Sequence, residues 1–503
     1  MGAVGFLGSA AFGLARGGPL PAIHDEFSYL LGADTFAEGR LTNPTHPHWK
    51  HFETFHVIHQ PTYQSKYPPA QALLLATGKR IGGRAALGLW LGAGALAAAL
   101  TWALLTWLPS HWGLLAGVLG TLQLTWFTYW SQSYWGGTVA ALGGALAFGS
   151  LRSLWRHPDL TMGLILGTGL AVLAASRPFE GALVGTLIAG ALIFRLLQGP
   201  KPHRRAILVR GLFPAAVVVG ASLGAQGVYN HAVTGSPVAM PYQVAQEQYA
   251  AAPAFLFQAP GPAPSYRHAV MEEFWMQWAR ESHERNRELQ VILTRVPAKI
   301  RKLALFFLGP GVLALVGLGR APDRRWVAYA GVGVLLVVAA ALLTRATFAH
   351  YVAPVTVLFY VLLGAGMRGL HRRARTGKRV SLAFVVVGAF ALTLPINAGK
   401  FLSSDRPPFA VERASLLADL EAMPGDHLVF VEYGPNHNVH QEWVFNRADI
   451  DASGVVWART IDSSRDRELI EYFSGRVVWN LKVDGRDPVL EPHPLVQRGR
   501  SRP

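Results

Sequence analysis

Two neighbouring carboxylates, Asp25 and Glu26, follow closely on an apolar run at residues 3–20. A carboxylate just beyond a hydrophobic segment can take a proton from a group reacting at that level, as a general base. Asp25 can equally cap the helix that HDEFSYLLGADTFAEGR predicts as far as Ala37 or Glu38, with Gly39 as its stop. Three cations could face an anion: Lys66 in SKYPPAQ, Arg177 in SRPFEG and Arg345 in TRATFAH. Arginine presents a planar fork and lysine a point charge, but the arginines could also snorkel to lipid headgroups and Lys66 could serve the surface. Between the carboxylates and Lys66 lies a histidine-rich stretch with His46, His48, His51, His56 and His59 around Glu53. Its imidazoles and carboxylate leave room for a divalent metal, with His56, His59 and Glu53 as candidate ligands, although the spacing matches no fixed zinc pattern and solvated loop histidines are the default.

Other groups could shape a pocket at the same level. Tyr134 and Trp135, followed by Gly136 and Gly137, form a turn that would either line a cavity or join an interfacial aromatic belt. Glu180 stands close enough to Arg177 in sequence to pair with it, and Tyr67 and His350 flank the cations.

These side chains must be held by membrane-spanning helices. Of 503 residues 51% are hydrophobic and 15% charged, and the apolar residues run on for spans of about 17 or more. About eleven candidate spans fall near residues 3–20, 86–108, 112–130, 137–155, 160–176, 180–198, 208–228, 301–319, 326–343, 350–367 and 380–399. Backbone in lipid must satisfy its own hydrogen bonds, and the alternation of a barrel is missing, so the expected fold is mainly α, a polytopic membrane helical bundle. The first run is short, contains Arg16 and lacks the basic start of a signal peptide; an abbreviated first span is favoured over a cleaved leader. The absence of cysteine excludes disulfides and thiolate metal sites.

Basic residues concentrate on one side. The loops after the fourth, sixth, eighth and tenth runs contain Arg152, Arg156, Arg195, Lys201, Arg204, Arg205, Arg210, Arg320, Arg324, Arg325 and the cluster from Arg368 to Arg379, whereas SQSYWGG, SRPFEG and TRATFAH hold only Arg177 and Arg345. This asymmetry places the basic loops in the cytoplasm and residues 21–85, 229–300 and 401–503 outside, in a plasma (inner) membrane with an extracytoplasmic working face. It also accounts for the net charge of +16 without a nucleic-acid partner. The division is a membrane module at 1–400 and an outer domain at 401–503. The latter reads as a small α/β unit: helix 411–422, strands 427–433 and 455–459, helix 465–473 and strand 476–483. Residues 269–296 read as an amphipathic helix whose Met271, Trp275 and Trp278 would face either headgroups or the protein's own outer part.

In these features the chain resembles the membrane glycosyltransferases that take sugar from a polyprenyl-phosphate carrier, including protein mannosyltransferases and the lipid A aminoarabinose transferase. The resemblance rests on Asp25–Glu26 after the first run, an outer loop to residue 85 with two surface helices, Lys66-Tyr67-Pro68-Pro69 and an outer tail at 401–503. The first run is shorter than the family pattern, and Tyr67 separates Lys66 from the prolines. The resemblance implies a GT-C fold with a small extracytoplasmic α/β domain, and a sugar moved from a polyprenyl-phosphate carrier to an extracytoplasmic acceptor, which could be protein, lipid or glycan. Asp25 or Glu26 would then take the acceptor proton, and Lys66, Arg177 and Arg345 would neutralise the departing phosphate. A lipid or solute transporter or flippase is the rival, but it calls for charges at mid-membrane and two related halves, whereas the polar residues here gather at one face. A non-catalytic scaffold using the tail as a binding module is a third reading.

Overall fold

The structure is a computed structural model that describes residues 1–375, 382–485 and 487–495. Lys378 and Arg379 of the last basic loop, the first two residues of the run at 380–399 and the end of the tail lie outside these. Each of the eleven apolar runs falls on helix. Among the described residues seven helices are long and apolar enough to cross a membrane, while Gly2–Ala15 and Leu160–Ser176 are shorter apolar helices.

Ala349–Arg372 and Ala85–Trp107 form the axis of the bundle. Their most apolar windows are 94% and 72% buried inside the protein, against 17% for Leu382–Ser403, whose apolar face is left outward as a lipid-facing helix requires. Close approach depends on small residues. A Cβ on Gly144 would lie 1.9 Å from the carbonyl oxygen of Pro354, and one on Gly317 would lie 2.0 Å from that of Gly366.

The first outer loop contains the helix His24–Ala37, a three-stranded antiparallel sheet ordered 43–44, 62–65, 57–58, and the helix Pro69–Gly82. Gly39 has φ 81 just beyond the first helix, where a side chain would be strained, and Pro69 opens the second with its fixed φ. Asp25 is not the cap: Ile23 occupies that position, and its own side chain makes no capping hydrogen bond.

The tail forms the helix Pro408–Ala422 and a sheet ordered 455–459, 427–433, 477–483, 489–492, with three parallel strands and an antiparallel last one. It shares one apolar core with the first outer loop, in which Phe27, Phe52 and Tyr63 pack with Phe430, Trp443 and Trp457. Phe27 stacks on Phe445 at 4.5 Å. Several of the histidines belong to this junction and are buried rather than solvated: His51 Nδ1 lies 2.9 Å from the Arg459 carbonyl and His46 Nε2 3.0 Å from Asp451. The amphipathic stretch is shorter than its sequence suggests, ending near Arg285 before a new helix begins at Leu289. Met271 and Trp275 bury themselves against Phe55, Tyr249 and Val439, so this face serves the protein's own outer part.

Arg459 ties the two outer units together. Its buried guanidinium pairs with the equally buried Glu442 and donates from Nε to the Glu53 carbonyl at 2.6 Å. Removing one member of such a pair leaves a buried charge alone, at a cost of about 3–5 kcal/mol. Arg459→Ala is therefore expected to lower the thermal midpoint of the purified protein substantially. Arg447→Ala, which removes a 3.7 Å contact to Asp34 made by a side chain 70% exposed, should change stability by less than about 1 kcal/mol.

Candidate functional site

Asp25 lies in the first turn of the His24–Ala37 helix, where the helix dipole favours a negative charge. Its Oδ1 accepts a hydrogen bond from the Tyr67 hydroxyl, and its Oδ2 is 3.8 Å from His56 Nε2. The side chain keeps 26% of its surface accessible. Glu26 is different: Oε2 accepts from the Ala22 amide at 2.8 Å and Oε1 from the Tyr134 amide at 2.9 Å, and the residue is buried. The adjacent carboxylates thus separate into an open one and one whose oxygens are taken up in joining the start of this helix to the Tyr134 turn. Glu26 is a poor substitute for Asp25 as a base.

Lys66 leaves the strand Thr62–Ser65 just before the rigid Pro68-Pro69 pair, and its amide donates to the His56 carbonyl. Its ammonium lies 5.1, 5.2 and 5.9 Å from the rings of Tyr67, Tyr242 and Trp275. Burial lowers its pKa to about 8, with Asp25 opposing the shift and Arg345 reinforcing it. The Arg345 guanidinium lies 5.1 Å over Trp278, and its pKa is also lowered by burial. Arg177 sits at the junction of Leu160–Ser176 and Pro178–Gln198, 4.7 Å over the Tyr351 ring. Tyr67 and Tyr351 lie within electrostatic reach of both arginines. Among the described residues none of these three cations has a carboxylate within 4 Å; Glu180 interacts with Arg177 at longer range, so the contact pair suggested by their spacing is not made.

The remaining candidates form the wall. Tyr134 is buried, with its hydroxyl donating to the Pro19 carbonyl and its own carbonyl accepting from Gln71. Trp135 packs on His350 at 4.8 Å, and His350 Nδ1 is 3.1 Å from the Tyr129 hydroxyl. These aromatics pack within the protein instead of forming a lipid-interface belt. Two surface clefts, one around Asp426 and Arg476 and one around Trp49 and Arg267, contain none of the three cations.

The metal set is not assembled. Glu53 accepts from Tyr249 and Arg267 at 3.0 Å each, His59 is buried beside Trp49 and Tyr63, and His56 faces Asp25. Among the described residues no three His, Asp or Glu side chains converge as ligands. Burial holds His59 at a pKa of about 3 and pushes His24 and His56 well below the usual imidazole value.

Sequence reasoning missed Tyr29, Tyr242, Tyr351, His24 and His440. Tyr351 follows His350 directly and Tyr242 follows the proline that starts a helix, so both stood beside visible signals. His440 lies in an irregular part of the tail and had none.

The helical bundle with its outer loop and tail has the GT-C fold of membrane glycosyltransferases. Neither a protein-family model nor a curated protein sequence matches the chain. Among solved structures it is similar to ArnT from Cupriavidus metallidurans in the apo state, with a TM-score of 0.51 and 14% identity over 95% of this chain and 92% of that one. ArnT bound to undecaprenyl phosphate gives a TM-score of 0.53 and 14% identity over 95% and 91%. The Archaeoglobus fulgidus oligosaccharyltransferase in complex with Zn and sulfate gives 0.51 and 12% identity over 95% and 67%.

Burial pushes the Glu26 carboxyl up to about 7, although the backbone amides of Ala22, Tyr134 and Ile23 pull it down. Between its ordinary value near 4.5 and about 7 the folded protein binds this proton more tightly than the unfolded chain, so the contribution to stability falls as pH rises through that window and is constant above it. The stability of the wild type relative to Glu26→Gln should accordingly drop by about 3 kcal/mol between those limits. A difference that is flat across that range would contradict the assignment.

Proposed function

We propose that this protein is a membrane glycosyltransferase that moves a sugar from a polyprenyl-phosphate carrier to an acceptor on the extracytoplasmic face of the plasma (inner) membrane. The observation that carries this reading is the gathering of Lys66, Arg177 and Arg345, from three distant segments and with no carboxylate in contact, around the tyrosines that also flank Asp25. Positive groups with no carboxylate in contact suit an anion that arrives with the substrate. A phosphate leaving a sugar carbon develops charge that such groups stabilise more in the transition state than in the ground state. Arg177 and Arg345 would hold the phosphate oxygens by their planar forks, with Lys66 as an adjacent point charge.

Asp25 supplies the opposite function. With Oδ1 fixed by the Tyr67 hydroxyl, Oδ2 remains for the proton of an acceptor O–H or N–H. The acceptor atom would bond to the sugar carbon as the carbon–oxygen bond to phosphate breaks, its electron pair passing to the phosphate.

The test is sugar transfer in proteoliposomes supplied with a polyprenyl-phosphate sugar. Because Ile23 and not Asp25 caps the helix, Asp25→Asn should fold normally while losing about 10²–10⁴-fold in rate. A wild-type rate in Asp25→Asn would remove the base from this position, and no transfer by the wild type with any such donor would remove the function.

A further inference from the structure

Behind Asp25 stands a row of imidazoles with vacant hydrogen-bonding positions. His56 Nε2 is 3.8 Å from Asp25 Oδ2, and its Nδ1 is buried without a partner. The His24 ring follows, its centroid 5.7 Å from that of His56, with one nitrogen turned toward the Val439 backbone and neither in a hydrogen bond of good geometry. His440 comes next at 6.1 Å from His24, carried by the tail and only partly buried. A buried polar atom without a partner costs about 1–3 kcal/mol, so His56 Nδ1 and a poorly satisfied His24 on the adjacent ring call for an explanation other than packing.

The row is also held in place. His56 has φ 62, an uncommon conformation for a residue with a side chain, and its carbonyl accepts from the Ser28 hydroxyl at 2.6 Å and the Lys66 amide at 3.2 Å. Phe274 packs on both His24 and His56, at 5.2 and 5.8 Å. His440 packs at 4.7 Å on Trp278 and is two residues from Glu442, the partner of Arg459. The junction between tail and outer loop therefore sets the position of the last imidazole.

We infer that His56, His24 and His440 form a proton relay that carries the acceptor's proton away from Asp25 to the outer surface through the tail. The inference rests on the proposed transfer reaction. Asp25 takes the acceptor proton as the new bond to sugar forms and the phosphate departs with its electron pair. Protonated Asp25 then gives that proton to His56 Nε2, and the proton on His56 Nδ1 passes on to His24 and His440, with water bridging the rings. One proton enters and one leaves, and Asp25 is again a carboxylate. Burial, and after it the charges of Lys66 and Arg345 with the rings of His24 and His440 acting in the same direction, lower the pKa of His56 and keep it neutral at rest, so it holds a proton only in transit. His56, on this account, is a positioning and relay residue, and the tail takes part in turnover.

The test uses the full-length protein in proteoliposomes with a polyprenyl-phosphate sugar. His56→Asn is chosen because asparagine tolerates positive φ, and it should lower kcat by less than the about 10²–10⁴-fold expected for loss of the base itself, with KM for the donor unchanged. Added imidazole should restore part of the loss in a saturable way, and the pH dependence of kcat should change. An unchanged kcat, or a loss that imidazole does not restore and that is equal at every pH, would overturn the relay. If His56→Asn fails to fold, His440→Gln decides: a reduced kcat restored by imidazole supports the relay and a wild-type kcat overturns it. A wild type that transfers no sugar would overturn the underlying reaction as well, whereas a wild type that does, beside unaffected variants, overturns the relay alone.

Discussion

A buried lysine and two half-buried arginines, none with a carboxylate in contact among the described residues, constrain everything around them. Taking a charge out of water costs several kcal/mol, and a cation–π contact returns only about 0.5–2 kcal/mol, so the aromatic rings around Lys66, Arg177 and Arg345 do not balance the account on their own. Asp25 is close enough to affect Lys66 but is bound to the Tyr67 hydroxyl. The deficit is what an anionic ligand would offset. The backbone beside the cations is constrained: Lys66 precedes Pro68-Pro69 and its amide donates to the His56 carbonyl, and Arg177 stands at the junction of two bundle helices.

The opposite charge is positioned by the outer units. Asp25 stands on a helix whose first turn is fastened to the Tyr134 turn through Glu26 and whose next residue, Phe27, belongs to the core shared with the tail. Arg459 and Glu442 lock that core to the histidine-rich loop at Glu53. The bundle thus supplies the two arginines, the loop at residues 21–85 supplies Asp25 and Lys66, and the tail packs against that loop. A buried carboxylate, a buried ion pair and a shared apolar core hold the elements that carry positions 25, 66, 177 and 345, whose charges act on the same tyrosines.

Much of this was legible in the sequence because lipid imposes simple rules. Apolar runs had to become helices, and among the described residues each of the eleven lies largely on helix; the tail strands expected at 427–433, 455–459 and 476–483 are found at 427–433, 455–459 and 477–483. The charges were legible for a different reason: Arg177 and Arg345 stand alone in loops otherwise poor in basic residues. What failed was reasoning confined to local spacing. Asp25 has the residue type of a cap, but the cap lies two residues earlier, at Ile23, and Tyr67, far along the chain, donates to its oxygen. Glu26 looked equivalent to Asp25 until backbone amides occupied both its oxygens. The histidines looked like ligands or solvated loop residues, yet His46 and His51 are spent on the tail and Glu53 on Tyr249 and Arg267. Each of these outcomes depends on a long-range contact that no periodicity encodes.

The account turns on whether the chamber is built for an anion carried by a lipid. The direct measurement is the affinity of the purified protein for undecaprenyl phosphate beside undecaprenol, followed by the fluorescence of the tryptophans that flank Lys66 and Arg345, Trp275 and Trp278. Charge-assisted hydrogen bonds contribute about 1.5–3 kcal/mol each, so the phosphate should bind at least about tenfold more tightly than the alcohol. That advantage should shrink in Arg345→Gln. Equal affinity for the phosphate and the alcohol would contradict the account.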